Sequence, residues 1–484
     1  MKHTTSLGLG LMSFLTCGTA LAQKYDGSGS PTFIPHTLQE ALAAAYLTNP
    51  QLQQERATLR STDEMVPTAL AGWRPTIQGQ AALTYYQGES KYGATGPAPG
   101  SESGAPAYSR VYSTPGYQGG VTITQPLYQG GKTTKATHQA VNQVMSERAK
   151  LISTEQQVFT SVVSAYVGVV QDQQLLQINI NNEHVLEEQL QATQQRFREG
   201  ELTRTDVAQA QAALAMATAS RQQAEGTLQA AQATYLQAVG LPPAPNLEAP
   251  QPLNLPVKSE KEAVSLAATN NPDVVSALFT ESAQKDAIGV AIAQILPKIS
   301  ATAAYQHMIN QSYGHMMTDN KYAMLNFNIP IYQGGSEYAA VRQARQSAEA
   351  ARRNVDLQRR TALQSASAGW QQLQSYRKAI TSDRQAIAAN VVALDGVERQ
   401  AIVGTSTTLE VLQQQGTLLQ SQIALVQSLS SLVTTSYSVA AAIGRLTAVD
   451  LKLNVPLYDE KAYYNAVKDR LWGINDYAVN QPGR

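Results

Sequence analysis

Two copies of a short motif, each followed by a long run without proline, constrain this chain more than any other feature. The copies are Pro-Leu-Tyr-Gln-Gly-Gly at residues 126–131 and Pro-Ile-Tyr-Gln-Gly-Gly at residues 330–335. An alternating apolar and polar segment precedes each copy, and a Gln- and Ala-rich segment of roughly seventy residues with helical periodicity follows it. Proline cannot donate to a β-ladder, and paired glycines permit a sharp turn. Both copies are therefore predicted to join a strand to a helix. The residues assigned to these joints are Pro126, Gly130, Gly131, Pro330, Gly334 and Gly335.

The helical runs after the joints are too long to fold back within one globule. Residues 131–199 would form a helix on the order of 100 Å long at about 1.5 Å per residue. Gly200 and Gly404 end the two runs in the manner of left-handed C-terminal caps, and a Thr-x-x-acid sequence then restarts a helix. We therefore predict two long helical hairpins, at residues 131–240 and 335–447, that pack lengthwise against each other.

Most of the chain is a tandem repeat. Asn271 repeats Asn49 after 222 residues, whereas Gly404 repeats Gly200 after 204 residues. The difference falls between two alternating segments, where an exposed hairpin loop tolerates a change of length. The predicted segments are repeat 1 at 23–240, a Pro-rich linker at 241–257, repeat 2 at 258–448 and a C-terminal tail at 449–484 that packs near the equator of the molecule.

Each repeat supplies two segments with strand-like alternation. We predict strands near 76–87 and 117–125 in repeat 1, joined by a long exposed loop, and strands near 298–307 and 322–329 in repeat 2. Four strands leave two exposed edges, which a bilayer does not tolerate. Because transmembrane barrels need about eight strands or more, a lipid-facing sheet would require several chains. The predicted fold class is mainly α with a small β part.

The N-terminus has the features of a secretory signal peptide. An apolar core at residues 7–15 precedes an Ala-Leu-Ala cleavage site at 20–22, so we predict removal of residues 1–22. Lipidation of Cys17 is an open alternative, although Thr16 fits poorly before a lipoprotein cysteine. Cleavage after residue 22 leaves a mature chain without cysteine, and hence without disulfides. No later run of 18 or more apolar residues predicts a transmembrane helix.

Composition and motifs exclude several functions. The 36 basic and 36 acidic residues balance, which argues against a nucleic-acid-binding protein. No catalytic triad pattern, phosphate-binding loop or His-Glu-x-x-His motif occurs, so we predict no enzyme, no catalytic residue and no cofactor. His307-Met308 and residues 315–317 (His-Met-Met) flank the second hairpin loop and contain soft metal ligands. We interpret them as parts of an exposed loop and predict no metal site.

The repeated Asn-Pro, the two joints and the Gly-centred helix turns resemble the TolC-like outer-membrane efflux proteins. The resemblance extends to the tail at residues 458–473 and covers nearly all of the mature chain. It implies a homotrimer in the bacterial outer membrane, with a twelve-stranded β-barrel in contact with lipid and a twelve-helix periplasmic α-barrel. It also implies a passive duct for small-molecule efflux or type I protein secretion. An inner-membrane transporter would drive export through a periplasmic adaptor.

Two other interpretations remain open from the sequence. A structural coiled-coil surface protein without a pore would explain the long helices, but it gives no reason for two alternating strands in each repeat. A periplasmic adaptor would carry one helical hairpin rather than two.

The resemblance places a periplasmic constriction just inside the hairpin tips. Glu410 matches an acid in a ring that narrows the entrance and favours cations, and Asp206 matches a residue that ties the tips shut. Helix capping is the alternative role for both acids. Gln413 replaces the second ring acid of the family, and Ala401 and Ser406 replace the Tyr and Arg that commonly latch the tip. The resemblance therefore implies a weaker acidic ring and a different latch.

The tips are also the predicted contacts for the adaptor. The second tip resembles the family's Val-Gly-x pattern, whereas the first tip, Glu-Gly-Glu-Leu at 199–202, departs from it. Arg204 and Arg399 are candidate ion-pair partners for a new latch, although exposed pairs contribute only about 0–1 kcal/mol each. The predicted adaptor-contact residues are Gly200, Leu202, Val403, Gly404 and Thr405.

Overall fold

The computed structural model describes residues 34–94, 96, 104, 106–310 and 316–475, so the signal segment, Cys17 and His315 lie outside the described residues. Repeat 1 contains α1 (Leu38–Thr48), α2 (Pro50–Asp63), α3 (Met65–Leu70), a 3₁₀ turn (Ala71–Trp73), β1 (Thr76–Tyr92), β2 (Tyr108–Tyr128), α4 (Lys132–Arg198) and α5 (Arg204–Val239). Repeat 2 contains α6 (Glu260–Asn270), α7 (Pro272–Ile292), β3 (Lys298–Ile309), β4 (Met317–Asn328), α8 (Ser336–Ile402) and α9 (Thr408–Ala442). The tail carries α10 (Ala462–Val467).

An asparagine starts the second short helix of each repeat and ties it to the end of that repeat's hairpin. Oδ1 of Asn49 accepts the N–H groups of Gln51 and Leu52, and Nδ2 donates to the Ala238 carbonyl at 3.1 Å. Asn271 makes the equivalent bonds, and its Nδ2 donates to the carbonyl of residue 442 at 3.1 Å. Proline follows at the first helical position, where no N–H is needed. The Asn-Pro pairs thus fix the short helices to the long ones.

The strands extend beyond the alternating segments that predicted them. β1 continues to Tyr92 and β2 begins at Tyr108, so both ends of the predicted long loop between these strands are strand instead. All 17 residues of β1 pair with β2. In repeat 2, β3 likewise reaches Ile309, and β4 begins at Met317. The Gly- and Ser-rich composition that suggested a loop is tolerated because the partner strand satisfies the backbone there.

The four strands form one antiparallel sheet in the order β1-β2-β3-β4, so β1 and β4 are its edges. One face is apolar and largely exposed in this single chain; Leu83 is 81% and Phe327 67% accessible. The opposite face carries mostly Gln, Thr and Asn. Register pairs on the apolar face are Ile77–Ile123, Gly79–Val121, Leu83–Tyr117, Ala301–Leu325 and Ile299–Phe327. Pairs on the polar face are Gln78–Thr122, Ala82–Gln118 and Gln306–Asn320.

The long helix α8 is buried along a narrow seam. On the half nearest the joint, where α8 packs against α7, Val341, Ala348 and Val355 are buried at intervals of seven residues. Val426 and Val433 are buried on α9. The seam continues down α8 through Ala362, Ala366, Leu373 and Ile380.

The main core surrounds the middle of α4. Phe159 and Tyr166 are fully buried there, against rings of Tyr46 and Tyr235 at 6.2 Å between centroids. The Tyr166 hydroxyl lies 2.8 Å from the carbonyl oxygens of His36 and residue 248, which joins the chain ahead of α1 to the linker. Apolar linker residues pack on the same core; they are Leu247, Leu253 and Leu255. The Pro-rich segment is therefore docked around the middle of α4, which is the equator of the molecule.

The tail covers a cluster of charged residues on α2 and α4. The Arg56 guanidinium lies between the rings of Tyr46 and Tyr458, at 4.6 and 5.2 Å from their centroids. Arg148 faces the ring of Tyr464 at 5.3 Å. The Tyr463 hydroxyl donates to Glu64 of the same cluster at 2.9 Å. Cation–π contacts therefore hold the tail at the equator.

Among the described helices, α9 alone is long and apolar enough to resemble a membrane span. Within an 18-residue window of this helix, 44% of the residues are already buried in the protein. Packing against α4 and α8 explains this apolarity, as packing does for core helices in general.

Candidate functional site

The joints place two glycines in left-handed backbone conformation in both repeats. Gly130 and Gly131 have φ of 63° and 80°, and Gly334 and Gly335 have φ of 73° and 82°. L-residues with a Cβ are strained in this region, which explains the Gly-Gly pair. Each second glycine is also the N-cap of the long helix that follows.

The prolines of the two joints have different roles. Pro126 lies inside β2 and pairs with Ser300, and the register shifts between Pro126 and Tyr128. The prediction that this proline ends the strand is therefore wrong, because a bulge accommodates its missing donor. In repeat 2, β4 does end at Asn328, before Pro330.

The two hairpin tips have the same backbone. Gly200 and Gly404 have φ of 86° and 81°. In the first tip the N–H of Glu201 bonds the Arg196 carbonyl at 2.9 Å, and in the second Thr405 bonds the carbonyl of residue 400 at 2.9 Å. These bonds span the glycine in the Schellman pattern and confirm the predicted caps. Leu202 is half-buried, whereas Val403 is 73% accessible and thus available to a partner.

Asp206 and Glu410 both close capping boxes. The Asp206 carboxylate accepts from the Thr203 N–H at 2.9 Å and hydroxyl at 2.7 Å. The Glu410 carboxylate accepts from the Thr407 N–H at 3.1 Å and from the Ser406 hydroxyl. The predicted capping role is therefore confirmed for both acids.

These hydrogen bonds also keep both acids charged. The Thr203 hydroxyl and N–H, assisted by the Thr408 side chain, hold the pKa of Asp206 below its usual value. The Ser406 hydroxyl and the Thr407 N–H lower the pKa of Glu410. Each helix start therefore presents a carboxylate that remains ionised near neutral pH. Capping and an electrostatic role are compatible, because capping uses only part of the acceptor capacity of a carboxylate.

Two contacts join the first tip to the second. Sequence reasoning missed the first, and for the second it named Asp206 but not its partner. Arg196 Nη1 donates to the carbonyl of Ala401 at 3.3 Å while its Nε pairs with Glu201 at 3.0 Å. Asp206 at the start of α5 reaches the buried Thr408 at the start of α9. The Ala401 position thus retains a cross-tip bond through its backbone, which no side-chain pattern reveals.

The expected substitutes for the family latch behave differently. Arg399 pairs with Asp395, one turn earlier on α8, at 3.0 Å, so it does not bind either capping acid. Arg204 forms no ion pair with the described residues. The Gln413 side chain is exposed one turn beyond Glu410. Ser406 bonds Glu410 within its own tip rather than bridging the tips.

The histidine of the second β-hairpin binds a carboxylate. His307 Nδ1 lies 2.8 Å from Asp319, which also accepts from the Tyr305 hydroxyl at 2.9 Å. Among the residues that the structure describes, no group of three or more His, Cys, Asp or Glu side chains is placed to hold a metal.

A short sheet with one apolar face is extended from one end by two 67-residue helices, and the chain turns back at a glycine cap after each helix. This architecture defines the class of outer-membrane channel proteins with a periplasmic helical domain. The outer membrane efflux protein family model matches residues 41–241 and 263–445. The chain belongs to this family, and the protein is located in the outer membrane.

Known relatives span almost the whole chain. Outer membrane efflux protein BepC of Brucella suis biovar 1 (strain 1330) is 33% identical over 443 residues, which are 91% of this chain and 92% of BepC. Outer membrane protein TolC of Escherichia coli (strain K12) is 24% identical over 438 residues, 86% of this chain and 83% of TolC. The family thus consists of outer-membrane channels rather than enzymes. Membership of this family argues against the alternative of a structural coiled-coil surface protein without a pore.

The fold has also been observed by crystallography. The outer membrane protein VceC from Vibrio cholerae matches with a TM-score of 0.71 at 19% identity, over 84% of this chain and 96% of VceC. The mainly helical architecture with a curled antiparallel sheet is therefore shared with this outer-membrane protein.

Proposed function

We propose that three copies of this chain close a twelve-stranded barrel in the outer membrane and a twelve-helix tunnel in the periplasm. The observation that carries this proposal is the sheet with one continuous apolar face and two open edges. In lipid each open edge must pair, so β4 of one copy meets β1 of the next. The apolar face then contacts lipid and the Gln- and Thr-rich face lines water.

The assembled tunnel would be a passive exit duct. The chain has no nucleotide-binding motif, so an inner-membrane transporter must supply the energy through a periplasmic adaptor. Efflux of small molecules agrees with relatives named for antibiotic and toluene efflux. Type I protein secretion is the second possibility within the same architecture, and one relative is named for alkaline protease secretion.

Pore formation is tested by reconstituting the purified protein into planar bilayers. We expect discrete conductance steps, and heat-modifiable migration of the detergent-extracted protein on gels. A protein that migrates as a heat-sensitive oligomer but never conducts would overturn the proposed duct, whereas the proposed assembly would stand.

Glu410 is the proposed periplasmic selectivity residue. Repeated by three-fold symmetry, its ionised carboxylate would raise the negative potential at the entrance. Asp206 would act beside it by holding the two tips together through Thr408. In this proposal Gln413 is a neutral gap in the ring.

Two opposite substitutions test the ring. Glu410→Gln should reduce cation selectivity and weaken block by multivalent cations, whereas Gln413→Glu should increase both. Gln413 is exposed, and a glutamine at position 410 can still close the capping box, so neither change should affect folding. Unchanged selectivity in both variants would place the constriction elsewhere.

The exposed tips are the proposed adaptor contacts. The double variant Gly200→Pro and Gly404→Pro should abolish export, because proline cannot adopt the positive φ seen at either glycine. Trimers should still assemble, since the tips lie a helix length from the sheet. Loss of the trimer in this variant would show that the glycines serve folding alone.

A further inference from the structure

Residues 470–475 of the tail form a small folded loop that displays three large apolar side chains. Leu471, Trp472 and Ile474 are 76%, 89% and 102% accessible. They follow Arg470 and flank Gly473, and the loop has no role in the tunnel proposed above.

This loop has a defined shape. Arg470 Nε donates to the Trp472 carbonyl at 3.0 Å, and its Nη1 donates to the Asn475 carbonyl at 2.8 Å. Gly473 has a φ of 103°, and a Cβ at this position would lie 2.6 Å from the Arg470 guanidinium. The apolar side chains therefore project from a backbone wrapped around an arginine.

The loop is tied to the end of the sheet that faces the helices. Arg74 Nη1 donates to the Arg470 carbonyl at 2.8 Å, and Arg74 stands two residues before β1 begins. Trp73, which is 44% accessible, is fixed at the same level because Gln125 of β2 donates to its carbonyl at 2.9 Å. The apolar face of the sheet starts at Ile77, the second residue of β1.

Cationic side chains share this level. Lys132 is the first residue of α4 and is exposed, and Lys298 is the first residue of β3. Cations beside exposed Trp and aliphatic residues are suited to the phosphate and glycerol layer of a bilayer, where Trp also concentrates. A protein partner would not require this combination next to a lipid-facing sheet.

We propose that the loop at residues 470–475 inserts Leu471, Trp472 and Ile474 into the headgroup layer of the periplasmic leaflet of the outer membrane. The proposal rests on the placement of the apolar sheet face in the bilayer. The loop would act as an anchor at the junction of barrel and tunnel, resisting tilt of the tunnel against the membrane.

Single-tryptophan variants of the full chain test the proposal in liposomes of phosphatidylethanolamine and phosphatidylglycerol that carry doxyl-labelled lipid. Trp73→Phe with Trp370→Phe leaves Trp472 as the reporter. We expect blue-shifted emission, with stronger quenching by a label near the headgroup than by one near the end of the acyl chain.

Two matched controls separate the possible failures. Trp73→Phe with Trp472→Phe leaves Trp370, which lies about 50 Å along α8 from the joint and should not be quenched. Adding Phe327→Trp to a variant with all three tryptophans replaced by Phe reports on the apolar sheet face and should be quenched strongly. If this sheet reporter is not quenched, the lipid placement in the proposed function fails.

If the sheet reporter is quenched and Trp472 is not, only the anchor is overturned. Water-like emission of Trp472 would mean that the loop stays in solvent. Blue-shifted but unquenched emission would mean that protein covers it, either another copy or residues 476–484.

Discussion

The two long helices α4 and α8 are equivalent in the repeat and equal in length, at 67 residues, yet they are buried very differently. Twenty-one side chains of α4 are buried, against eight of α8. α4 passes through the core, where the linker and tail cover it. α8 is buried along one narrow seam, so its remaining surface is free within the single chain. The same repeat thus supplies a folding core in its first copy and, in the proposed trimer, an assembly surface in its second.

The largest expected difference is in the stability lost when a side chain is truncated at equivalent positions of α4 and α8. Phe159→Ala should destabilise the protein by about 3–5 kcal/mol, because the ring is fully buried against Tyr46. Leu363→Ala, at the equivalent half-buried position of α8, should cost about 1–2 kcal/mol. Chemical denaturation of the detergent-solubilised protein, followed by circular dichroism, measures both. Equal costs would show that the asymmetry belongs to the single chain and that a neighbouring copy in the proposed trimer buries α8.

The two repeats should also differ in their response to pH. Burial raises the pKa of Asp63 and of Glu155 to about 7. Between their unfolded pKa values and about 7 the folded state holds protons that the unfolded state has lost, so stability should fall by a few kcal/mol as pH rises from about 4 to about 7. Positions 285 and 359, their equivalents in repeat 2, are lysine and arginine at the surface.

The denaturation midpoint measured from pH 5 to pH 8 tests this response. Asp63→Asn should flatten the decline, since the neutral amide replaces the protonated acid. Lys285→Gln, at the exposed equivalent position, should leave the slope unchanged. A decline that Asp63→Asn does not reduce would assign the pH dependence to other groups.

The caps Asn49 and Asn271, which occupy equivalent positions in the two repeats, should contribute similar amounts to stability. Asn271→Ala should cost about 1–3 kcal/mol and Asn49→Ala slightly less, because Asn271 is the more buried of the two. Asn→Asp at each site keeps the cap and removes the amide donor to the hairpin. Thermal unfolding that shows no penalty for either Asp variant would mean that the bond to the hairpin does not stabilise the fold.

The smallest effect is expected at the tips. Arg196→Gln gives the first tip the residue of the second and removes the bond to the Ala401 carbonyl. Because Arg196 is partly exposed, the loss should be below about 1 kcal/mol. Hydrogen exchange should quicken at residues 196–206 and 400–410 and not at the joints. Unchanged exchange would show that Thr408 alone couples the tips.

Local signals predicted the elements of this fold well. Periodicity, Asn-Pro caps and glycine turns act within a few residues, so each can be recognised in the sequence. Strand ends were less certain, because pairing with a neighbouring strand overrides composition, as at Tyr92 and Tyr108. Pro126 was misassigned for the same reason, since a bulge against β3 decides its place.

The same distinction between local and long-range contacts applies to the residues of the candidate site. The two acids, their capping threonines and the glycines of the tips could be identified from the sequence, because the interactions of these residues lie within four residues of each other. Only the tertiary structure revealed that Arg196 reaches the Ala401 backbone and that Arg399 pairs elsewhere. It also decided that α4 rather than α8 forms the core. These outcomes depend on which distant segments meet, and two repeats with the same local pattern do not specify that separately.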